Sequence, residues 1–243
     1  MTRVLATTLV LVALATVALA AEDFATERRL MVEEIERLAA STAAETKRAT
    51  LDPRVLEAMA KVPRHEFVPP EEASAAYQNR PVPIGHGQTI SQPFIVALMT
   101  DLLRPSPTDT VLEVGTGSGY QAAVLSLLVR EVYTIEIVEE LGKEAAQRLT
   151  RLGYENVKGK VGDGYQGWPE HAPFDAIMVT AAPDHIPPAL LDELKPNGRM
   201  VIPVGELTQD LMLVVKNPDG TGTSTTIAPV RFVPLIRRGE KTD

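Results

Sequence analysis

In Val111-Leu112-Glu113-Val114-Gly115-Thr116-Gly117-Ser118-Gly119-Tyr120, glycines alternate at 115, 117 and 119 between an apolar run and a helix-forming run. Glycine at such a junction permits a tight turn and lets a ligand approach the backbone at the carboxyl end of a strand. The G-x-G-x-G spacing differs from the G-x-G-x-x-G of dinucleotide binders, and no Lys stands where a triphosphate would be cradled. The same glycines could also serve packing alone. Glu136 sharpens the reading, because it ends the next apolar run, where an acid in this type of fold accepts hydrogen bonds from ribose hydroxyls. A carboxylate at a buried strand end without partners would be costly.

Asp163, in Gly162-Asp163-Gly164, follows the third apolar run and would face the same crevice. It could accept from an exocyclic amine such as that of adenine, with the glycines leaving room for the ring; the alternative is an ordinary Asp-Gly turn. A ribose acid and an adenine acid, with no phosphate-binding Lys or Arg nearby, fit a nucleoside without phosphates. S-adenosylmethionine is the commonest such cofactor. Glu139 and Glu140 read as helix N-terminal charges that favour the helix dipole.

These residues need elements to hold them. From Thr110 the pattern predicts strands at Thr110–Val114, Val132–Ile137, Val157–Val161, Asp175–Thr180 and Arg199–Val204. Between them fall helices at Tyr120–Val129 and Val138–Leu152, and a helical turn at Ala189–Leu194 closed by Pro196-Asn197-Gly198. Strand, helix, strand in succession demands a parallel sheet with right-handed crossovers. Leu211–Lys216 and Thr225–Phe232 flank a Pro218-Asp219-Gly220 turn and read as an antiparallel hairpin. Upstream, Phe24, Leu30, Met31, Ile35 and Leu38 suggest an amphipathic helix within Asp23–Thr50. Asp52-Pro53 then offers an N-cap and a first-turn proline for a short helix through Ala60. Val62–Gln92 carries prolines 63, 69, 70, 81 and 83 with glycines 85 and 87, which predicts an ordered functional loop. Helical spacing resumes over Pro93–Leu103.

The 243-residue chain has 32 acidic against 24 basic side chains and no cysteine. The acidic balance argues against a nucleic-acid partner. Without cysteine there is no disulfide scaffold, thiolate nucleophile or cysteine-ligated metal. The histidines at 65, 86, 171 and 185 form neither H-E-x-x-H nor a helical pair, so no metal is expected. Trp168 reads as a packing anchor, and the charge runs Glu27–Arg29 and Glu33–Arg37 as solvated helix faces. Met1–Ala20 is a different material: Arg3, an apolar run from Val4 to Leu19 and an Ala18-Leu19-Ala20 end have the anatomy of a secretory signal peptide. An exported, periplasmic location is therefore expected. Membrane contact would arise only if the segment stays uncleaved, since its run is short for a ~30 Å hydrocarbon core.

One stretch is more specific than the glycine loop. Pro83-Ile84-Gly85-His86-Gly87-Gln88-Thr89-Ile90-Ser91-Gln92-Pro93 immediately precedes the nucleotide-binding part and resembles the signature of the protein-L-isoaspartate O-methyltransferase family. The resemblance extends, in order, through Val62-Pro63-Arg64 to Phe67-Val68, the glycine loop to Gln121, and Gly162-Asp163-Gly164. It continues through Pro173–Ile177, Val179–Pro183, Val201–Gly205 and Val230–Leu235, covering about residues 30 to 236. It implies an α/β, Rossmann-like S-adenosylmethionine methyltransferase fold, mostly parallel, with a C-terminal antiparallel hairpin and an N-terminal helical and loop extension. The division expected is a signal segment at 1–20, then helices and a substrate and cofactor loop at 21–104 packed on a methyltransferase core at 105–243.

By that resemblance the chain methylates the free carboxylate of isoaspartyl residues in damaged peptides and proteins, using S-adenosylmethionine. The ester then collapses to a succinimide that returns some normal aspartate. Ser91 matches the family's active-site, catalytic serine, with Thr89 and Ile90 beside it in the cofactor-contacting loop. Gly115, Thr116 and Gly117 match the cofactor loop, Glu136 the ribose acid, and Asp163-Gly164 the adenine side. Ile84, Gly85 and His86, with Thr180, Ala181 and Ala182, are expected to border the substrate. The family norm is cytoplasmic, which stands as the alternative to export. Two other functions fit the same residues: a methyltransferase acting on another small carboxylate or hydroxyl, and an exported relative that binds peptides without turnover.

Overall fold

The computed structural model describes residues 24–237 and 239. The export signal expected at residues 1–20 lies outside them. Residues 24–41 are helical (α1), with Met31, Ile35 and Ala39 buried on one side and an exposed Arg29–Glu33 pair at 2.6 Å. Four-residue spacing separates the two faces. The helix falls within the expected stretch and ends where the Ser41 and Thr42 hydroxyls both bond back to the Leu38 carbonyl, a local competitor for the helical ladder. A single turn, α2 (Ala43–Thr46), follows. Asp52 caps α3 (Pro53–Lys61) by accepting from the Arg54 amide at 2.8 Å.

The proline-rich stretch is more regular than a loop. It forms 3-10 turns at Arg64–Phe67 and Pro70–Ala75. A two-stranded ribbon follows, β1 (Val82–Gly85) against β2 (Gln88–Ile90). Proline is compatible with such a ribbon because both its strands are edges. The turn uses positive φ at Gly85 (90°), His86 (52°) and Gly87 (70°). Helix α4 (Pro93–Leu103) then dives into the core.

The remaining elements are β3 (Thr110–Val114), α5 (Tyr120–Ser126), β4 (Glu131–Glu136), α6 (Glu139–Arg151), β5 (Val157–Val161) and β6 (Phe174–Val179). They are followed by α7 (Pro188–Asp192), β7 (Leu194–Val204), β8 (Gln209–Lys216) and β9 (Gly222–Val230). The sheet order is β5-β4-β3-β6-β7-β8-β9. β3 pairs in parallel with β4 and β6, and the chain closes antiparallel through β7, β8 and β9.

This is the expected Rossmann-like fold with its C-terminal hairpin. Among its local departures is β7, which starts at Leu194 rather than Arg199. The strand absorbs Pro196-Asn197-Gly198 as an irregularity: pairing jumps from Phe174↔Leu194 to Ala176↔Arg199, with Asn197 at φ 64°. α7 accordingly ends at Asp192.

Alternation along β3 and β4 splits the core into two layers. Val111 and Val132 join the cluster built with α1, α3, α4 and α5. Leu112, Val114, Tyr133 and Ile135 face the other side, with Phe174 and Leu190. Trp168 packs there edge-on to Tyr133, ring centroids 5.3 Å apart, the anchoring role its sequence position suggested.

Candidate active site

The chain steps from β3 to β4 on one side and has β6 on the other, so the strand order reverses at β3. In such sheets a crevice opens beyond the carboxyl ends of the strands at that point. There the Gly115 and Thr116 amides both donate to the Ile135 carbonyl, at 2.8 and 3.2 Å, tying the glycine loop to β4. Gly115, Gly117 and Gly119 have φ of 98°, 52° and 90°, a region that side chains other than glycine's adopt rarely. The Thr180 hydroxyl at the end of β6 lies 3.0 Å from the Val114 carbonyl and 2.6 Å from that of Gly115. A Cβ on Gly115 would stand 2.3 Å from that hydroxyl oxygen.

Glu136 is 6 % exposed and fully engaged: Oε2 accepts from the Gly117 amide at 2.7 Å and Oε1 from the Val138 amide at 3.0 Å. Its carboxylate therefore shapes the loop from the end of β4. Behind it lies a second acid. Glu113 is wholly buried and accepts from the Thr134 hydroxyl, which is itself 2.6 Å from the Thr116 hydroxyl.

Burial pushes the Glu113 carboxyl up to about 8. At neutral pH the folded chain thus holds a proton there that the unfolded chain releases, because an exposed glutamic acid ionises near ~4.3. The folded state binds more protons between those two values, so stability falls as pH rises through that window and levels off above it. Glu113→Gln removes this proton uptake. The difference in melting temperature, variant minus wild type, is expected to be more positive at pH 8.5 than at pH 5; an equal difference at both would show that Glu113 titrates normally.

Two open crevices meet here, of about 880 Å³ and 970 Å³ counting their mouths. The first is lined by Gly115–Ser118, Glu136, Gly164 and Ala181, and by Val233–Ile236 from the C-terminal segment. The second is lined by Pro81, Gln92, Ile95 and Pro229–Val233. Thr89, Ser91, Thr180 and Val233 belong to both. Among the described residues lining the first crevice, Glu136 is the one charged side chain and none is Lys, Arg or His. The second carries Arg231.

Of the residues singled out from the sequence, Thr89, Ile90, Ser91, Gly115, Thr116, Gly117, Glu136, Gly164, Thr180 and Ala181 come together on the first crevice. Asp163 is not among the lining residues; it caps the Gly164–Gln166 turn with Oδ1 2.9 Å from the Tyr165 amide. Gly164 is confined, since a Cβ there would lie 2.3 Å from Val114 Cγ1. Ile84 is buried beneath Gly117, its Cδ1 3.3 Å from where a Cβ would point. Gly85 ends β1 and His86 opens the exposed turn to β2, and neither lines these two crevices. Ala182 instead holds the C-terminal segment: its amide donates to Val233 and its carbonyl accepts from Leu235, each at 2.8 Å.

The other histidines have local occupations. His65 stacks on Phe24 at 4.0 Å and meets the Tyr77 hydroxyl at 2.7 Å. His171 stacks on Tyr133 at 4.1 Å, and His185 meets Asp184 at 2.7 Å. Among the described residues, no group of three metal-ligating side chains assembles.

Two features escaped the sequence reading. The Val233–Ile236 wall follows a hairpin whose long-range return no local pattern encodes; its only signal was the family-like Val230–Leu235 stretch. The second is the role of Arg64, whose only signal was the family-like Val62-Pro63-Arg64 stretch and whose Nη2 donates to the Ser91 carbonyl at 2.7 Å.

Comparison with known proteins agrees with this geometry. The family described as protein-L-isoaspartate(D-aspartate) O-methyltransferase matches residues 37–240. Protein-L-isoaspartate O-methyltransferase 1 of Cupriavidus necator is 63% identical over 220 residues, covering 89% of this chain and 85% of its own. Protein-L-isoaspartate O-methyltransferase 2 of a Polaromonas species is 64% identical over 207 residues, covering 84% of this chain and 98% of its own. A crystal structure of a Plasmodium falciparum protein, titled a putative protein-L-isoaspartate O-methyltransferase in complex with S-adenosyl-L-homocysteine, superposes with a TM-score of 0.71. It is 27% identical and covers 86% of this chain and 98% of its own.

Proposed function

Because the chain belongs to the protein-L-isoaspartate(D-aspartate) O-methyltransferase family, and so transfers methyl groups from S-adenosylmethionine to isoaspartyl carboxylates, we propose that its two crevices divide donor from acceptor, with Ser91 at their seam. The observation that carries this reading is the shared wall: Thr89, Ser91 and Thr180 face both spaces. The first crevice suits the cofactor by its donor set. One carboxylate and no cation favour a sulfonium-bearing nucleoside and disfavour a phosphate. Glu136 would take the ribose, and Gly115–Gly117 and Gly164 would leave room for the nucleoside against the backbone. When bound, S-adenosylmethionine supplies a methyl group activated by its positive sulfur.

The rest of the chemistry asks little of the protein. An isoaspartyl carboxylate is ionised at neutral pH, since such groups titrate near ~4. A carboxylate oriented in the second crevice would already be deprotonated, so its methylation would ask the chain to move no proton. No general base is needed, and no histidine lines either crevice among the described residues. The chain contributes orientation, which in favourable cases is worth about 7–11 kcal/mol. Arg231 gives the second crevice a positive charge for an anionic acceptor. Ser91 is then a hydrogen-bonding guide for the carboxylate rather than a nucleophile.

Ser91→Ala tests this assignment. Loss of one hydrogen bond to a charged group predicts turnover on an isoaspartyl peptide lowered about tenfold, with S-adenosylhomocysteine affinity by calorimetry unchanged within about threefold. Full turnover in the variant would remove Ser91 from the site. The aspartyl twin of the peptide should stay unlabelled throughout.

A further inference from the structure

Among the described residues, Arg64 is the largest side chain that is fully buried. It sits on the 3-10 turn Arg64–Phe67, and its fork spans two backbone segments: Nε donates to the Ala76 carbonyl at 2.6 Å and Nη2 to the Ser91 carbonyl at 2.7 Å. Its Cζ lies 4.8 Å from the ring centroid of Tyr120, the first residue after the glycine loop. Nη1 has no hydrogen-bond partner among the described residues. The groups acting on its charge are tyrosines, and burial pulls the guanidinium down only to about 10, so it stays charged at neutral pH.

A buried cation without an anion is an expensive way to hold a fold together; apolar residues of similar volume usually serve stability as well or better. What the guanidinium adds is geometry. A planar fork can bind two carbonyls at once in fixed directions, which an ammonium on a flexible stem does poorly.

We propose that Arg64 is a positioning residue for methyl transfer: by pinning the Ser91 carbonyl to the Ala76 carbonyl, it holds the Ser91 hydroxyl at the seam of the two crevices. The proposal rests on the reading of Ser91 given above. Its chain of action is specific. Arg64 touches neither crevice and works through the backbone of the residue that does, as groups that support a site from behind commonly do.

A double-mutant cycle separates this role from a purely structural one. Arg64→Lys and Arg64→Met are each made with Ser91 present and with Ser91→Ala, and assayed on an isoaspartyl peptide. With Ser91 present, kcat is expected to fall about tenfold while KM for S-adenosylmethionine stays within about threefold. With Ser91→Ala, the same substitutions should cost less than about twofold, because residues acting as one unit are not additive. Arg64→Met fills the volume without charge and supplies the cycle if the lysine variant does not fold. Equal losses in both backgrounds, or an unchanged kcat, would overturn the proposal. Failure of both variants to fold would do the same, by assigning Arg64 to the fold alone. Full turnover in Ser91→Ala alone would instead overturn the Ser91 reading, so the two failures are told apart.

Discussion

Glu136→Gln is expected to weaken S-adenosylmethionine binding about 10- to 100-fold while leaving the fold intact. The two carboxylate oxygens accept from separate amides, those of Gly117 and Val138, at a site 6 % exposed. A glutamine has one oxygen for two donors. Its amide group must face the other backbone N–H, donor against donor, and one buried amide loses its partner. Hydrogen bonds to charged groups contribute about 1.5–3 kcal/mol, and stranding a buried donor costs a similar amount. Most of that cost falls on the glycine loop, which forms the floor of the first crevice, so binding should suffer more than stability. If the ribose hydroxyls also donate to Glu136, the loss lies at the upper end. Calorimetry with S-adenosylhomocysteine and thermal melting report the two effects separately. Affinity unchanged within about threefold would show that Glu136 neither shapes the loop nor meets the cofactor.

The difference between Glu136 and Arg64 shows how far the sequence was legible. Strand, glycine loop, helix and strand follow one another locally, so hydrophobic periodicity and the glycines located β3, α5 and β4, and Glu136 fell at the end of β4 by counting. The pattern points that acid at a ligand, and the structure adds backbone amides of its own loop and helix, partners that no side-chain pattern announces. Arg64 is the opposite case. Its partners are carbonyls at Ala76 and Ser91, brought near by the ribbon of β1 and β2, and the prolines that punctuate this region signalled a loop rather than strands. Likewise β7 hid its beginning, because Pro196-Asn197-Gly198 has the composition of a turn even when a strand swallows it. Asp163 illustrates an ambiguity that the sequence left open. Its side chain caps a turn while Gly164 beside it reaches the crevice, so the dipeptide fits both readings at once.

Gly115→Ala carries the largest expected loss of activity, because one methyl group meets two obstacles. At φ 98° a side chain is strained whatever the space, at a cost of about 1–3 kcal/mol. The new Cβ would also stand 2.3 Å from Thr180 Oγ1, so that hydroxyl must give up the hydrogen bond its single proton shares between the Val114 and Gly115 carbonyls, worth about 1 kcal/mol. In a chain of this size each kcal/mol lowers the melting temperature by roughly 2–4 °C, so a drop of roughly 5–15 °C is expected. Activity should fall further than stability, by more than about 100-fold, because a misplacement of about 1 Å at a transfer site can by itself cost that much, and Thr180 borders both crevices. A second substitution distinguishes the two obstacles. Thr180→Ala removes the colliding oxygen but not the backbone strain, so Gly115→Ala/Thr180→Ala should melt above Gly115→Ala and below Thr180→Ala, with turnover still low. Wild-type turnover in Gly115→Ala would mean that the loop opens away from Thr180 without disturbing the donor site, and the geometry assigned to the seam would be wrong.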